Sequence, residues 1–387
     1  MTTPGATAPV ALSTVLAEWG RLGCTGFGGP PAHIALLRRL CVERRGWLEA
    51  SEFEDAVAAC NLLPGPASTQ LAIFCAWRVR GRLGALVGGA AFIVPGLVLI
   101  LALAALFLAG SPPAWVTGAG AGAGAAVAAV AVQAGTALIP ASRQRAARHG
   151  SALRWAAYLL LGGVATVTLG PWLVVLLIAC GVVEVLVRAP AGGGGRAPSP
   201  MLFAAATAGG GVLASLAGLA VKVGALSYGG GFVIIPLMRA DAVDTHRWMT
   251  DAQFLDAVAL GQVTPGPVVQ TIAVVGYAAA GLGGGILASA VAFAPSFAFV
   301  LLGGDRFDRL RGDARVRAFL DGAGPAAIGA ILGSAVTLAA ALEHAWQFAV
   351  LAGAAVALLA LRRGVVPTLL LAGATGALLA TTGVLPH

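Results

Sequence analysis

The chain contains one stretch in two copies, GCTGFGGPPAHIALLRRLCVERRGWLEASEFEDAVAACNLLPGPASTQ at 23–70 and GALSYGGGFVIIPLMRADAVDTHRWMTDAQFLDAVALGQVTPGPVVQ at 224–270. The copies align without a gap from their first glycine to the second proline of a shared Pro-Gly-Pro motif. A match of this length at fixed spacing indicates a duplicated chain. We predict an N-terminal repeat at 1–188 and a C-terminal repeat at 201–387, joined by a linker at 189–200 that is flexible by its glycine-rich composition.

The composition is that of a membrane protein. Of the 387 residues, 58% are hydrophobic and 10% are charged, whereas roughly a quarter of the residues in a soluble domain are charged. Several apolar runs reach the about 20 residues with which a helix spans a bilayer. We therefore predict an all-α polytopic protein whose partner is the lipid bilayer. The +8 net charge lies in short loops, so no nucleic-acid partner is expected, and the five cysteines lack metal-ligand spacing, so no metal or cofactor is expected.

Arginines alternate between equivalent loops of the two halves. The loop before Gly84 carries three arginines, whereas its counterpart at 278–285 carries none. The next loop reverses the pattern, because 111–115 is uncharged and its counterpart at 306–317 carries five arginines. Arginine-bearing loops stay in the cytoplasm under the positive-inside rule, so equivalent loops lie on opposite faces. This pattern predicts two inverted-topology repeats that cross the cytoplasmic membrane several times, with the linker in the cytoplasm.

Glycine- and proline-rich motifs interrupt the helices of each half. They are FGGP at 27–30, with YGGG as its second copy, and the two Pro-Gly-Pro motifs. Proline lacks an N–H group and glycine permits unusual backbone angles, so helices break there. Four arginines lie at 38–45, and they stay on the cytoplasmic side if the segments 10–28 and 56–77 are re-entrant hairpins folded at the breaks. We therefore favour broken or re-entrant helices, with Ser51 as the N-cap of the helix that leads to the first Pro-Gly-Pro.

The breaks predict a binding site for an anion. A half-helix that begins after Pro-Gly-Pro exposes free N–H groups and the positive end of its dipole. Arg21 and Lys222 occupy equivalent places inside apolar segments, where a cation costs about 2.5–3.5 kcal/mol and is functional by default. The alternatives are that they snorkel to an interface or that Arg21 pairs with Glu18. The predicted substrate-binding residues are Arg21, Phe27, Gly28, Gly29, Pro64, Gly65, Pro66, Gln70, Lys222, Tyr228, Gly229, Gly230, Pro265, Gly266, Pro267 and Gln270.

Two aspartates also correspond between the halves. Asp55 and Asp256 each precede a Pro-Gly-Pro motif on the entering helix. Either is a candidate for proton coupling, and the alternative is a solvated carboxylate at the interface. His33 faces Ile234 in the alignment, so we expect it to be non-essential for binding. Other polar residues flank the breaks and either bind a ligand or satisfy the broken backbone; they are Asn61, Ser68, Thr69, Gln262 and Thr264.

The sequence carries no enzyme signature. Walker A, HExxH and nucleophile-elbow motifs are absent, and the glycine run at 281–285 lacks the βαβ context of a dinucleotide site. We therefore expect a protein that is not an enzyme and that is driven by a gradient instead of ATP.

The paired motifs also carry a resemblance. FGGPPAHIALLRR and NLLPGPASTQLA, with their second copies SYGGGFVIIPLM and QVTPGPVVQTIA, resemble the bacterial chromate ion transporter family in its long, two-repeat form, over nearly the whole chain. The resemblance implies a cytoplasmic-membrane carrier that exports chromate and confers chromate resistance, with sulfate as the natural mimic. Tyr228 departs from the family pattern, where phenylalanine is expected. The motif positions carried over are Phe27–Pro30, Pro64–Pro66, Tyr228–Gly231 and Pro265–Pro267.

Several alternatives stay open from the sequence. An importer of sulfate or of another oxyanion is the nearest one, and an anion channel would use the same symmetric pore. A membrane scaffold or assembly factor would not depend on Arg21 and Lys222. The sequence does not specify the direction of transport, the coupling ion or the oligomeric state, and a homodimer is compatible with it.

Overall fold

The computed structural model describes residues 10–60, 65–147, 152–169, 172–188, 211–227, 231–303 and 313–382. The regular secondary structure within these ranges is helical, which confirms the predicted all-α class. The helices of the first half are α1 Leu12–Thr25, α2 Gly29–Arg38 with a π-helical continuation Arg39–Arg44, α3 Ala50–Cys60, α4 Ala67–Phe107, α5 Ala114–Ala147, α6 Ala152–Thr168 and α7 Leu173–Arg188.

The second half repeats this order helix by helix. Its helices are α8 Val212–Leu226, α9 Ile234–Arg239 with a π-helical continuation Ala240–Thr245, α10 Asp251–Val263, a 3-10 turn Val268–Gln270, α11 Thr271–Gly303, α12 Ala314–Ala340, α13 Ala345–Ala355 with a π-helical continuation Val356–Ala360, and α14 Val365–Thr381. Among the described residues, four helical segments are long and apolar enough to cross a membrane, namely α4, α5, α12 and the segment formed by the 3-10 turn with α11. They confirm the prediction of a multi-pass helical membrane protein.

α4 and α11 are helical hairpins, each folded at a glycine. Gly81 has a φ of 63° and Gly281 a φ of 62°, in the left-handed region that glycine adopts without steric cost. A Cβ atom at Gly84 would overlap the carbonyl oxygen of Ala76, so the two parts of α4 lie side by side. The basic segment that the sequence placed between two apolar segments is therefore a tight turn.

The chain also reverses direction at the first Pro-Gly-Pro motif. Glu52 at the start of α3 forms an ion pair with Arg78 near the end of the first part of α4. At about 1.5 Å per residue, collinear helices would hold these residues far apart, so α3 and the first part of α4 fold back on each other. Arg38 reaches Glu54 at 3.6 Å, so Arg38 lies at the same end of this hairpin. The re-entrant arrangement itself stays a prediction.

The start of α3 differs from the prediction. The first helical hydrogen bond runs from the N–H of Phe53 to the carbonyl of Glu49 at 3.0 Å. α3 therefore begins at Ala50, two residues before a helix capped by Ser51 would begin, and Ser51 lies in its first turn. A complete capping box forms instead in the second half, where the Thr250 hydroxyl accepts from the N–H of Gln253 at 3.2 Å.

The two halves pack around a pseudo-two-fold axis. α1 packs against α4 as α8 packs against α11, and α5 packs against α13 and α14 as α12 packs against α6 and α7. Two pairs of equivalent helices contact each other across the axis, namely α4 with α11 and α5 with α12.

Equivalent helices run antiparallel where they meet. A Cβ atom at Gly89 would lie 2.5 Å from the Phe297 ring, and one at Gly285 would overlap Leu101. The contact at the higher residue number of α4 is thus made with the lower residue number of α11, so the two helices run antiparallel. Two copies of one helix that cross antiparallel are related by an axis perpendicular to them, which is the arrangement of inverted repeats. In the register set by these two contacts, Ile93 falls opposite its own equivalent Phe293, which places both at the centre of the symmetric crossing.

Candidate functional site

The two Pro-Gly-Pro breaks lie close to this axis, and each contacts the other half. The N–H of Gly266 donates to the carbonyl of Gly26 at 2.9 Å, so the second break is bonded to the first half. A Cβ atom at Gly65 would lie 3.3 Å from the carbonyl of Gly224 and 3.4 Å from the Ser296 hydroxyl. The first break therefore packs against α8 and α11 of the second half. The fold brings together in space two motifs that are far apart in sequence.

Glycine is required at the centre of each break. Gly65 has a φ of 116° and Gly266 a φ of 105°, and a residue with a Cβ atom would be strained in this conformation. Gly28, at the FGGP break, has a φ of 97°. The conformation turns the chain sharply, so that a helix ends before each Pro-Gly-Pro motif and a new one begins after it.

α4 approaches the second break without room for a side chain at Gly96. A Cβ atom there would overlap the carbonyl oxygen of Pro265 and lie 2.5 Å from Gln270 Oε1. Gln270 Nε2 donates to the carbonyl of Ile93 at 2.6 Å. The equivalent of Gly96 on α11 is Ser296, a buried residue beside Gly65. At these equivalent positions beside the breaks, the second half therefore carries the Ser296 hydroxyl, whereas the first half carries only the backbone of Gly96.

Unpaired polar atoms concentrate at the breaks. Several buried side-chain atoms have no hydrogen-bond partner within the part of the chain that the structure describes, and those at the breaks belong to Thr69, Ser227, Gln262, Gln270 and Ser296. A buried polar group without a partner costs about 1–3 kcal/mol. Hydroxyl groups and the amide nitrogen of Gln262 donate hydrogen bonds that an oxyanion accepts, whereas the unpaired Oε1 of Gln270 is itself an acceptor. The unpaired donors at the breaks are therefore of the chemical kind that binds an oxyanion.

His33 connects the two breaks of the first half. Its Nε2 lies 2.9 Å from the carbonyl oxygen of Gly26, and its Nδ1 lies 3.2 Å from the Ser68 hydroxyl. The buried ring packs edge-on against Phe92 at 5.1 Å between centroids. We expected His33 to be non-essential for binding because Ile234 replaces it in the other half. The structure shows a positioning contact of His33 that the alignment could not show.

The two intramembrane cations are ion-paired. Arg21 Nη2 lies 3.0 Å from Glu18 Oε2, and its side chain is 53% exposed. Glu18 also accepts from Arg45 Nε at 3.2 Å. Lys222 Nζ lies 3.0 Å from Asp241 Oδ2. The pairing of Arg21 with Glu18, which the sequence left as an alternative, is therefore present.

Neither cation faces the breaks. Gly23, two residues after Arg21, packs against the carbonyl of Phe92, and Gly224, two residues after Lys222, packs against Ala292. Two residues correspond to about 200° around a helix, so each cation lies on the face opposite the one packed against α4 or α11. A direct contact of Arg21 and Lys222 with substrate stays a prediction, and the geometry favours structural ion pairs.

The other predicted residues fall into three groups. Gly65, Pro66, Gln70 and Pro265–Gln270 are buried at the centre, whereas Phe27 is 43% exposed and Gly28 is exposed with Gly29 half-buried. Asn61, Pro64 and Tyr228–Gly230 lie outside the described residues. Asp55 is exposed and Asp256 is half-buried, so the two candidates for proton coupling occupy different environments.

Two inverted helical repeats with broken helices that meet at the symmetry axis define a membrane transporter. The chain belongs to the chromate transporter family, because the family model described as Chromate transporter matches residues 13–185 and 214–381, in both halves. No solved structure matches the chain.

Curated relatives agree with this assignment. A chromate transport protein of Cupriavidus metallidurans is 32% identical over 331 residues, covering 82% of this chain and 80% of the relative. A chromate transport protein of Pseudomonas aeruginosa is 30% identical over 373 residues, covering 87% and 83%. A probable chromate transport protein of Synechococcus elongatus is 29% identical over 329 residues, covering 82% of each.

Proposed function

We propose that this protein is a secondary transporter that exports chromate across the cytoplasmic membrane and thereby confers chromate resistance. The observation that carries the proposal is the meeting of both Pro-Gly-Pro breaks at the pseudo-two-fold axis, each against the other half. We infer chromate as the substrate from the relatives that are named chromate transport proteins. The absence of a nucleotide-binding motif in the sequence supports a gradient as the driving force.

The chemistry of the centre suits a tetrahedral oxyanion. Chromate needs hydrogen-bond donors on several sides, which the hydroxyls of Thr69, Ser227 and Ser296 and the amide of Gln262 can supply. Helix starts after the breaks add backbone N–H groups and positive dipole ends. Because each break is anchored on the other half, a rocking motion of the halves about the axis would expose the same centre to either face in turn.

Sulfate has the same shape and charge and is expected to compete. An importer of sulfate or of another oxyanion and an anion channel are the rival functions, since both would use the same paired breaks. Only a carrier must change conformation for each transported ion, so saturation and exchange separate it from a channel.

The test is chromate uptake into inside-out membrane vesicles that contain the protein, where uptake corresponds to export from a cell. We expect saturable uptake that sulfate competes for and that unlabelled chromate on the opposite side accelerates. Vesicles without the protein are the control. Uptake that stays linear with concentration and shows no acceleration by exchange would indicate a channel, and no chromate flux under a pH gradient or a potential would exclude the proposed function.

A further inference from the structure

The carboxyl group of Asp256 occupies a recess that exists because residue 120 is a glycine without a side chain. Asp256 is half-buried on α10, where that helix packs against α5. A Cβ atom at Gly120 of α5 would lie 2.5 Å from Asp256 Oδ1 and 2.8 Å from its Cγ. The carboxyl group therefore occupies the space that a side chain at Gly120 would fill.

Among the described residues, no cation lies beside the carboxyl group of Asp256. No residue in the described ranges forms a hydrogen bond or an ion pair with it. The buried carboxylates elsewhere are paired, since Glu18 contacts Arg21, Glu184 contacts Arg154 at 3.0 Å and Asp241 contacts Lys222. Ionisable groups inside a membrane protein are costly and mark functional sites by default.

The elements around Asp256 bring no charge to it. α10 packs against α4, α5, α9, α11, α14 and the 3-10 turn. α14 and the 3-10 turn carry no titratable side chain. None of the titratable groups on the remaining elements, or on α10 itself, contacts Asp256 in the described structure. These groups are Cys75, Arg78, Arg80 and Arg82 on α4, Arg143 and Arg145 on α5, Arg239 on α9, Asp251 on α10 and Tyr277 on α11.

The equivalent aspartate of the first half lacks such a recess. Gly122 and Gly322 are equivalent, because they pack in the same way against α14 and α7 respectively. The same register places Leu320 at the position of Gly120, and Asp55 is exposed. The duplication therefore kept both aspartates but gave only the second one an interior position.

We propose that Asp256 is the proton-binding site that couples chromate export to proton entry, and that Asp55 has no such role. This inference rests on the proposed transport function. Gly120 lies near the start of α5, and the arginines of α5 lie at its other end, so Asp256 is on the arginine-poor, outer side. Its carboxylate takes a proton from outer water, forming an O–H bond. That bond breaks when the centre opens to the cytoplasm, the proton passes to cytoplasmic water and a chromate anion binds from the same side. The anion is released when the centre opens to the outside again, where the carboxylate takes up the next proton.

The position of Asp256 links the proton to the substrate. α10 leads directly into the second Pro-Gly-Pro motif, whose Gly266 is bonded to the first half. A change of charge on α10 therefore acts on the element that the rocking motion must move. A carboxyl group without a cation partner can gain and lose a proton without breaking an ion pair.

The test compares two modes of transport in vesicles whose membrane potential is clamped. Wild-type chromate uptake into inside-out vesicles is expected to rise several-fold when the interior is acidic, and Asp256→Asn is expected to lose this stimulation. The variant keeps chromate exchange at equal pH on both sides, because exchange needs no net proton movement. Asp55→Asn is the matched control and is expected to behave like wild type.

The outcomes separate the two claims. Failure of wild-type protein to exchange chromate overturns the proposed function together with this inference. Normal exchange with full stimulation of Asp256→Asn by the pH gradient overturns the inference alone, and so does loss of exchange in folded Asp256→Asn. If that variant does not fold, Asp256→Glu is measured instead; we expect a shifted pH profile of uptake with normal exchange, and an unchanged profile overturns the inference.

Discussion

The side-chain amide of Gln270 donates a hydrogen bond of 2.6 Å to the backbone carbonyl of Ile93. This bond joins the second Pro-Gly-Pro break to the middle of α4, which belongs to the first half. Ile93 lies at the centre of the antiparallel crossing between α4 and α11. The bond therefore holds a break of one repeat at the symmetry axis of both, where we propose that the substrate binds.

Substitution of Gly96 tests the close approach next to this bond. Gly96→Ala places a methyl group against the carbonyl of Pro265 and the side chain of Gln270. Because both neighbours are held in place, we expect loss of most chromate transport and a free energy of unfolding lower by about 1–3 kcal/mol. Vesicle uptake and thermal unfolding in detergent measure the two effects. Gly283→Ala on α11, where a Cβ atom meets nothing within 4 Å, is the matched control, and equal behaviour of both variants would refute the close approach.

The Lys222–Asp241 pair distinguishes a structural cation from a substrate ligand. Lys222→Gln leaves the carboxylate of Asp241 buried without its partner, which is destabilising. We expect lower thermal stability and weaker transport in this variant. The double variant Lys222→Gln with Asp241→Asn removes both charges and is expected to recover both properties. Stable but inactive double-variant protein would show instead that Lys222 contacts the substrate, as the sequence predicted.

Inverted topology can be tested with cysteines at equivalent positions. Arg143 at the end of α5 and Glu343 after α12 are both exposed and correspond in the repeat. In a Cys24→Ala background, which removes the exposed native thiol, we expect a membrane-impermeant thiol reagent to label Glu343→Cys in intact cells. Arg143→Cys should be labelled only after the membrane is opened. Labelling of both positions from the same face would contradict the inverted arrangement.

Much of the fold could be predicted from the sequence because its signals are local and repeated. The two copies of the break motifs indicated two halves, and alternating arginines indicated that the halves are inverted. The antiparallel crossing of α4 and α11 agrees with both. The prediction of Ser51 as the N-cap of α3 was wrong, because α3 begins two residues before a helix capped by Ser51 would begin.

The site could be predicted less completely, because it depends on contacts between distant segments. The sequence singled out Gly65, Gln70 and their equivalents, but not Ser227, which precedes the YGGG motif, or Ser296, which lies outside the repeated stretch and is brought beside Gly65 by packing. The environment of Asp256 depends on Gly120 of another helix. The partner of Lys222 is Asp241, a residue without a carboxylate equivalent in the first half, so the alignment gave no reason to look for it.

The affinity of Ser296→Ala for chromate tests most directly whether the paired breaks bind the substrate. The buried Ser296 hydroxyl has no partner among the described residues, and a hydrogen bond to a charged group contributes about 1.5–3 kcal/mol, where 1.4 kcal/mol is about tenfold in affinity. We predict that the KM of chromate uptake rises about tenfold or more while the maximal rate changes little. Ser334→Ala is the control, because that buried hydroxyl donates to Ile331 of its own helix at 2.7 Å. An unchanged KM in Ser296→Ala would contradict a substrate site at the breaks.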